Sequence, residues 1–269
     1  MVTLAEPRGG PEAGRALHDR LEWAYYGLAA TSGRWFERRT ATALFGGFAG
    51  LDSSTMNRVA LLDAPDAGAL DETLAEADLY FSGRGVPWSV QITPFARPSG
   101  LPGLLRRRGF RLASELTVMT RSALAEVPPI EPAVEVREVA PDEVALFTRL
   151  TVDAFRMPPR FHAALTDVNR AWLEAGGRAY FAIARGEPVG TALLTRHAGV
   201  AGVYNVATLR PYRRRGVATA IMLRVLEDYE RAGEDVLTLQ VARASVAEAF
   251  YERLGFVARY QWEIYTKDA

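Results

Sequence analysis

The sequence predicts an α/β fold, with a mixed sheet flanked by helices and a duplication into two tandem units. Segments with the two-residue period of strands alternate with segments of helical period along the chain. A proline-rich stretch at 125–132 separates two parts of similar length. Leu105-Arg-Arg-Arg-Gly109-Phe110 aligns with Tyr251-Glu-Arg-Leu-Gly255-Phe256, and a long strand pattern follows each. We interpret the two parts as diverged copies of one α/β unit.

The first part alternates between helical and strand patterns. Apolar residues at Leu70, Leu74 and Ala77 follow helical spacing, whereas 86–93 is typical of a strand. Predicted helices cover 14–30, 70–80 and 101–108, and predicted strands cover 42–49, 57–62, 86–93 and 110–120.

The second part begins after Ala-Glu-Val-Pro-Pro-Ile-Glu-Pro at 125–132, which predicts an extended linker. We therefore predict domains at 1–124 and 133–269. Predicted strands cover 133–139, 179–184, 188–195, 203–209, 235–241 and 256–266, and predicted helices cover 141–155, 161–174, a segment from 217, and 245–254.

Composition excludes several kinds of chemistry. The 269 residues are 49% hydrophobic and 24% charged, as in soluble globular proteins. Zero cysteines exclude disulfides and thiolate sites, and three histidines are too few to indicate a metal site. Zero formal net charge argues against nucleic-acid or membrane partners. No signal peptide or apolar run of about 20 residues is present, so we expect a bacterial cytoplasmic protein whose oligomeric state the sequence does not reveal.

One stretch combines positive charge with a helix start. Pro211 ends the predicted strand at 203–209, and helical spacing begins at Val217. The segment Arg213-Arg-Arg-Gly216-Val-Ala218 lies between them. A helix start presents unpartnered N–H groups and partial positive charge, and small residues let an anion approach them closely. The stretch therefore predicts a pyrophosphate site, with an ordinary basic turn before a surface helix as the alternative.

These residues resemble the acyl-CoA loop of the GNAT superfamily of N-acyltransferases, whose pattern Arg/Gln-x-x-Gly-x-Gly/Ala is matched by Arg213, Gly216 and Ala218. A second block, Ala247 to Phe256, resembles the Tyr-x-x-x-Gly-Phe segment of the family. The predicted element order over 133–269 also matches the GNAT fold. For Tyr251, the alternative is a core residue of an amphipathic helix.

The resemblance implies roles for individual residues. It implies that backbone amides in the loop bind the pyrophosphate of acetyl-CoA, that strand backbone contacts its acyl and pantetheine parts, and that Tyr251 protonates the leaving thiolate. Implied cofactor-binding residues are Ala207, Thr208, Leu209, Arg213, Arg214, Arg215, Gly216, Val217, Ala218, Thr219 and Ser245.

Two positions depart from the family pattern. Asn205 stands where some members carry a glutamate base, so it is a candidate catalytic residue that hydrogen-bonds water but accepts no proton. Ala244 stands where many members carry an asparagine that contacts the cofactor, with Ser245 beside it. His162, His197 and Asp153 remain open as alternatives for the base.

The first part lacks the matching chemistry. Asp63-Ala-Pro-Asp-Ala-Gly68 places acids before its helix, and Leu105 occupies the place of Tyr251. We therefore expect one cofactor site, with the first part packed against the second as a wall of the acceptor pocket. The resemblance implies an acetyl-CoA-dependent N-acetyltransferase acting on a primary amine of a small molecule or peptide, with no metal. The alternative is a catalytically weak CoA-binding sensor or interaction module.

Overall fold

A single mixed sheet of eleven strands runs through the computed structural model, which describes residues 10–122 and 134–267. The predicted linker at 125–132 lies outside these residues. The helices are α1 Gly10–Ala30, α2 Ala67–Ser82, α3 Leu101–Arg107, α4 Val144–Phe155, α5 His162–Glu174, α6 Val217–Ala232 and α7 Val246–Arg253. The strands are β1 Trp35–Arg39, β2 Leu44–Phe48, β3 Arg58–Ala60, β4 Ser89–Ile92, β5 Phe110–Arg121, β6 Glu135–Glu138, β7 Arg178–Ala184, β8 Glu187–His197, β9 Val200–Thr208, β10 Leu237–Ala242 and β11 Val257–Lys267.

The predicted fold class is confirmed, and each predicted helix and strand has an observed counterpart. Strand β1 was not predicted. Its sequence, Trp-Phe-Glu-Arg-Arg, is exposed over its last three residues and lies at the edge of the sheet. It therefore lacks the alternation of apolar and polar residues that marks a half-buried strand.

The two parts of the chain exchange their last strands. The sheet order is β1-β2-β3-β4-β11-β5-β10-β9-β8-β7-β6, so β11 enters the first part and β5 enters the second. β5 and β11 pair antiparallel from Phe110 opposite Lys267 to Thr120 opposite Val257. The predicted units 1–124 and 133–269 thus share one sheet, and their boundary stays a prediction.

The sheet order has an approximate two-fold symmetry. Read from its two ends, and leaving out the edge strand β6, it pairs β1 with β7, β2 with β8, β3 with β9, β4 with β10, and β11 with β5. β3 runs parallel to β4, and β9 runs parallel to β10. The shared order agrees with a tandem arrangement of two related units.

Helix α6 lies close against the sheet because Gly190 on β8 has no side chain. A Cβ atom at Gly190 would come within 2.7 Å of Val217 Cγ1 and 3.1 Å of the Ala207 carbonyl oxygen. Val217 is the first residue of α6 and is buried. The glycine therefore lets the start of α6 pack directly beside the end of β9.

The buried side chain of Glu22 joins α1 to strands β4 and β11. Glu22 Oε1 accepts hydrogen bonds from the Tyr260 hydroxyl at 2.7 Å and from Trp262 Nε1 at 2.6 Å. Glu22 Oε2 accepts one from Gln91 Nε2 on β4 at 3.1 Å. Glu22 is completely buried. Both halves of the chain therefore contribute donors to one acid.

Burial raises the pKa of Glu22 to about 7, and its hydrogen bonds oppose that shift only in part. Folded Glu22 thus binds its proton more tightly than unfolded Glu22. We expect the free energy of unfolding to fall as pH rises from about 4.5 to about 7, by at most about 3 kcal/mol. Urea unfolding of wild type and Glu22→Gln across this range measures the effect. Burial also lowers the pKa of His18, so the test is the difference between the two proteins, in which the contribution of His18 cancels. An equal slope in Glu22→Gln would contradict the assignment.

Candidate active site

An opening forms where β9 and β10 separate. The two strands pair only at Ala201 with Leu237 and at Gly202 with Thr238. Beyond this point β10 continues beside β5, so the end of β9 has β8 as its neighbour on one side only. Thr208 lies opposite Gly190, and the next residue, Leu209, donates its N–H to the Val189 carbonyl at 2.9 Å. Because ladder positions alternate, the Thr208 N–H faces the opening.

The start of α6 lies at this opening without a side-chain cap. Its N-cap residue, Gly216, has a left-handed backbone with φ 78° and makes no side-chain cap hydrogen bond. Arg214 is also left-handed, with φ 62°. Glycine adopts this conformation without steric cost. The first N–H groups of α6 are therefore presented to the opening.

The opening continues into a cleft of about 540 Å³. Two apolar side chains at the cleft are unusually exposed, Phe155 at 49% and Val246 at 70%. Predicted cofactor-binding residues that line it are Ala207, Thr208, Arg213, Arg214, Gly216, Val217, Ala218 and Thr219. Sequence reasoning missed the contributions of Ala154, Phe155, Val206, Tyr212, Val246, Ala247, Phe250 and Arg253.

Three predicted cofactor-binding residues do not line the cleft. They are Leu209, Arg215 and Ser245. The Leu209 N–H is already bonded to β8. Ser245 Oγ accepts a hydrogen bond from the Glu248 N–H at 3.1 Å, and Glu248 Oε2 accepts one from the Ala244 N–H. Ser245 thus caps α7, as the pattern Ser-Val-Ala-Glu at 245–248 signals in the sequence, and the Glu248 carboxylate binds the N–H of the residue before the cap.

Arg213 holds the loop in place. Its Nε donates to the Thr208 carbonyl at 3.1 Å, and its Nη2 donates to the Ala154 carbonyl at 3.0 Å. These bonds connect the loop to the ends of β9 and α4. The side chain of Arg213 is therefore committed to backbone carbonyls, whereas Arg214 lines the cleft without a described hydrogen bond to the protein.

Tyr251 lies on α7 behind the cleft. It is 8% exposed and packs against the rings of Phe250 and Phe256, with centroids 5.1 and 5.6 Å away. Ala247 and Phe250 of the same helix line the cleft, whereas Tyr251 is not among its lining residues. Burial raises the pKa of Tyr251 well above its usual range, so its hydroxyl keeps its proton at neutral pH.

Asn205 forms a bulge in β9. The register shifts between Thr191 and Leu193 of β8, and Asn205 has a left-handed φ of 53°. Asparagine tolerates this conformation better than most residues. Asn205 Nδ2 donates to Asn169 Oδ1 at 3.0 Å, and Asn169 Nδ2 donates to Thr148 Oγ1 at 2.9 Å. The bulge therefore directs the Asn205 side chain toward α4 and α5.

Asn205 lines a second cavity, of about 150 Å³, between the two halves. The first part of the chain contributes Leu28 and Ala29 from α1 and Phe48 from β2, among others. None of the base candidates His162, His197 and Asp153 lines this cavity or the cleft. His162 Nε2 lies 2.9 Å from the Ala145 carbonyl oxygen, and the His197 ring occupies the space beside Gly27.

The corresponding region of the first part is closed to anions. Asp66 Oδ1 accepts a hydrogen bond from the Ala69 N–H at 2.9 Å, so a carboxylate already caps α2. Beyond the β3–β4 pair, Asp63 and Arg97 form a parallel bridge and an ion pair across the gap. Asp63 and Asp66, the acids because of which the sequence predicts no second cofactor site, thus occupy the positions where an anion would bind.

The described residues contain neither a candidate metal site nor a candidate membrane-spanning helix. Across residues 10–122 and 134–267, no cluster of three or more His, Cys, Asp or Glu side chains is arranged to hold a metal ion. Within the same ranges, no helix has the length and apolar character needed to cross a membrane.

Comparison with known proteins identifies a family for part of the chain and similar folds for most of it. The model of the acetyltransferase (GNAT) family matches residues 145–256. No curated protein matches the sequence. A GCN5-related N-acetyltransferase from Kribbella flavida is similar in structure, with 20% identity, a TM-score of 0.69, and coverage of 92% of this chain and 95% of that one.

Two further solved structures are similar across most of the chain. A GCN5-related N-acetyltransferase from Sphaerobacter thermophilus has 21% identity and a TM-score of 0.64, with 84% and 80% of the two chains covered. A tandem GNAT protein from the clavulanic acid biosynthesis pathway has 18% identity and a TM-score of 0.58, with 83% and 77% covered. Residues 145–256 of this chain therefore form a domain that matches the acetyltransferase (GNAT) family.

Proposed function

We propose that the protein is an acetyl-CoA-dependent N-acetyltransferase that acts on a primary amine of a small molecule or peptide. The observation that carries this proposal is the uncapped start of α6 at the opening between β9 and β10. A pyrophosphate there would accept hydrogen bonds from the first N–H groups of α6, and the helix dipole would favour its charge. Arg214 would add a second source of positive charge.

The rest of the cleft suits an elongated ligand with apolar and amide parts. The Thr208 N–H faces the opening and is available to a carbonyl or amide oxygen. Phe155, Val246 and Phe250 offer apolar surface along the cleft. Recognition through backbone explains why Ala207 and Val217 carry no polar side chain.

Acetyl-CoA would supply an activated thioester: the amine nitrogen would form the new C–N bond, the C–S bond would break, and in the net reaction the proton that nitrogen loses would be balanced by the proton that the leaving sulfur gains. The protein must hold the donor, orient the amine and provide a proton to the leaving sulfur. Tyr251 keeps its proton and is the proposed donor. Asn205 is proposed to orient the amine or a water molecule. Because no lining residue of the second cavity is an acid or a histidine, the amine is proposed to react as its free base.

A catalytically weak CoA-binding sensor is the second candidate. It is favoured by Asn205, which accepts no proton, and by the burial of Tyr251 behind the cleft. For either activity we propose a location in the bacterial cytoplasm, with no nucleic-acid or membrane partner, because the chain has zero net charge and no cysteine.

Release of free thiol from acetyl-CoA, measured with a panel of primary amines, separates the two candidates. The enzyme is expected to release thiol in proportion to added amine, with one acetylated product for each thiol. Binding of CoA in calorimetry without amine-dependent release across the panel would support the sensor and contradict the enzyme.

A further inference from the structure

The cavity between the two halves is apolar over most of its wall. Its lining includes Phe48, Leu51, Leu165, Val168 and Trp172, drawn from both parts of the chain. Leu51 and Val168 are almost fully buried. The cavity would therefore surround the side group of a bound molecule mainly with apolar side chains.

Hydrogen-bonding groups gather on the wall formed by β9, α4 and α5. Asn205, Asn169 and Thr148 form a connected chain there. Asn205 lines this cavity, and the next residue, Val206, lines the cofactor cleft. A molecule in the cavity with a polar end at Asn205 would thus have that end one residue along β9 from the lining of the cleft.

The lining of the cavity carries no charged side chain; its fifteen residues are apolar, aromatic, hydroxyl or amide residues. Burying an unpaired charge is costly, so an additional ammonium or carboxylate group on the acceptor would be disfavoured there. The size of the cavity, about 150 Å³, is that of a protein cavity known to hold benzene.

We propose that the acceptor is a primary amine whose substituent is uncharged, apolar and about the size of a benzene ring, as in benzylamine. This inference rests on the proposed acetyl transfer. The nitrogen would lie at Asn205, and the ring would lie among Phe48, Leu165 and Trp172. The first part of the chain, which has no cofactor site of its own, would then select the acceptor.

The wall contributed by the first part is held firmly in place. Trp172 Nε1 donates a hydrogen bond to the Leu28 carbonyl of α1 at 3.0 Å. Arg34 forms an ion pair with Asp167 of α5. Ala29 is buried and lines the cavity between these contacts. Its small side chain leaves room that a larger residue would fill.

The wild-type test compares kcat/KM for four amines at saturating acetyl-CoA. Benzylamine is expected to exceed ethylamine and the diamine putrescine by at least about 10-fold, since one methylene in an apolar pocket is worth about 10-fold or more. The larger 2-naphthylmethylamine is expected to be a poor acceptor. Equal or better use of putrescine would overturn the inference.

Two variants change the volume of the cavity between the halves, one reducing it and the other enlarging it. Ala29→Leu is expected to raise KM for benzylamine by at least about 10-fold, while CoA affinity stays unchanged. Leu165→Ala is expected to improve kcat/KM for 2-naphthylmethylamine relative to benzylamine. Leu104→Ala, at a half-buried leucine in the first-half core, is the matched control and should alter neither selectivity nor CoA affinity. The Leu165→Ala result remains decisive if Ala29→Leu fails to fold.

The outcomes distinguish this inference from the proposed function. Absence of thiol release with every amine, despite CoA binding, would remove the proposed acetyl transfer and with it this inference. Two results would leave acetyl transfer standing and overturn the acceptor class alone. One is thiol release that is faster with charged amines. The other is thiol release that does not depend on the size of the amine in either wild type or Leu165→Ala.

Discussion

Gly216→Asp is expected to weaken CoA binding by at least about 100-fold while the protein stays folded, because hydrogen bonds to a charged group contribute about 1.5–3 kcal/mol each. The new carboxylate would lie at the N-cap of α6, beside the free N–H groups of its first turn. It would also repel the pyrophosphate. Calorimetric titration with CoA measures the loss, and circular dichroism checks the fold.

Gly233→Asp is the matched control. Gly233 caps the other end of α6 with nearly the same backbone, φ 80°, and its Cβ would point into open space. The two substitutions therefore impose similar strain and the same charge at opposite ends of one helix. CoA affinity should survive in Gly233→Asp. Wild-type affinity in Gly216→Asp, or equal loss in both variants, would show that the α6 start is not the anion site.

Tyr251→Phe is expected to lower kcat by about 10²–10⁴-fold with little change in CoA affinity, as for loss of a general acid. The tyrosine hydroxyl stays protonated because burial raises the pKa of Tyr251. A free thiol has a pKa of about 8.5, so full transfer of this proton to the thiolate is uphill. The hydroxyl would therefore act mainly by hydrogen-bonding the sulfur as charge builds. Steady-state kinetics with an accepted amine, alongside calorimetry with CoA, measure both quantities.

Tyr229→Phe controls for loss of a buried hydroxyl. Tyr229 belongs to the same core cluster as Tyr251 and donates its O–H to the Arg121 carbonyl at 3.2 Å. Its replacement should reduce stability and leave kcat nearly unchanged. A wild-type kcat in Tyr251→Phe would identify Tyr251 as a packing residue, in keeping with its ring contacts to Phe250 and Phe256.

Most of the residues that the sequence predicts to bind the cofactor line one cleft, because they lie on one continuous stretch of chain. The end of β9, the loop through Gly216 and the start of α6 follow one another, so period changes and Pro211 locate them. Ser245 was assigned to the cofactor although its local pattern is that of a helix N-cap. Leu209 was assigned without knowledge of ladder alternation, which turns its N–H toward β8.

The strand exchange and the residues that line the second cavity were beyond sequence reasoning, although the sequence predicts that the first part forms a wall of the acceptor pocket. β5 and β11 follow similar Gly-Phe segments, and their patterns show which face is buried but not which strand each one joins. The cavity brings α1 and β2 of the first part together with α5 and the Asn205 bulge. Asn169 gave no signal as a lone polar residue in a helical pattern. Only the fold shows that its amide meets Asn205.

Calorimetric titration of the wild-type chain with CoA tests the central claim most directly. The central claim is that the start of α6 binds an anion, whereas the start of α2, its counterpart in the first part, does not because Asp66 caps it. The account predicts one CoA bound per chain. Two CoA molecules per chain, or no binding at all, would contradict it.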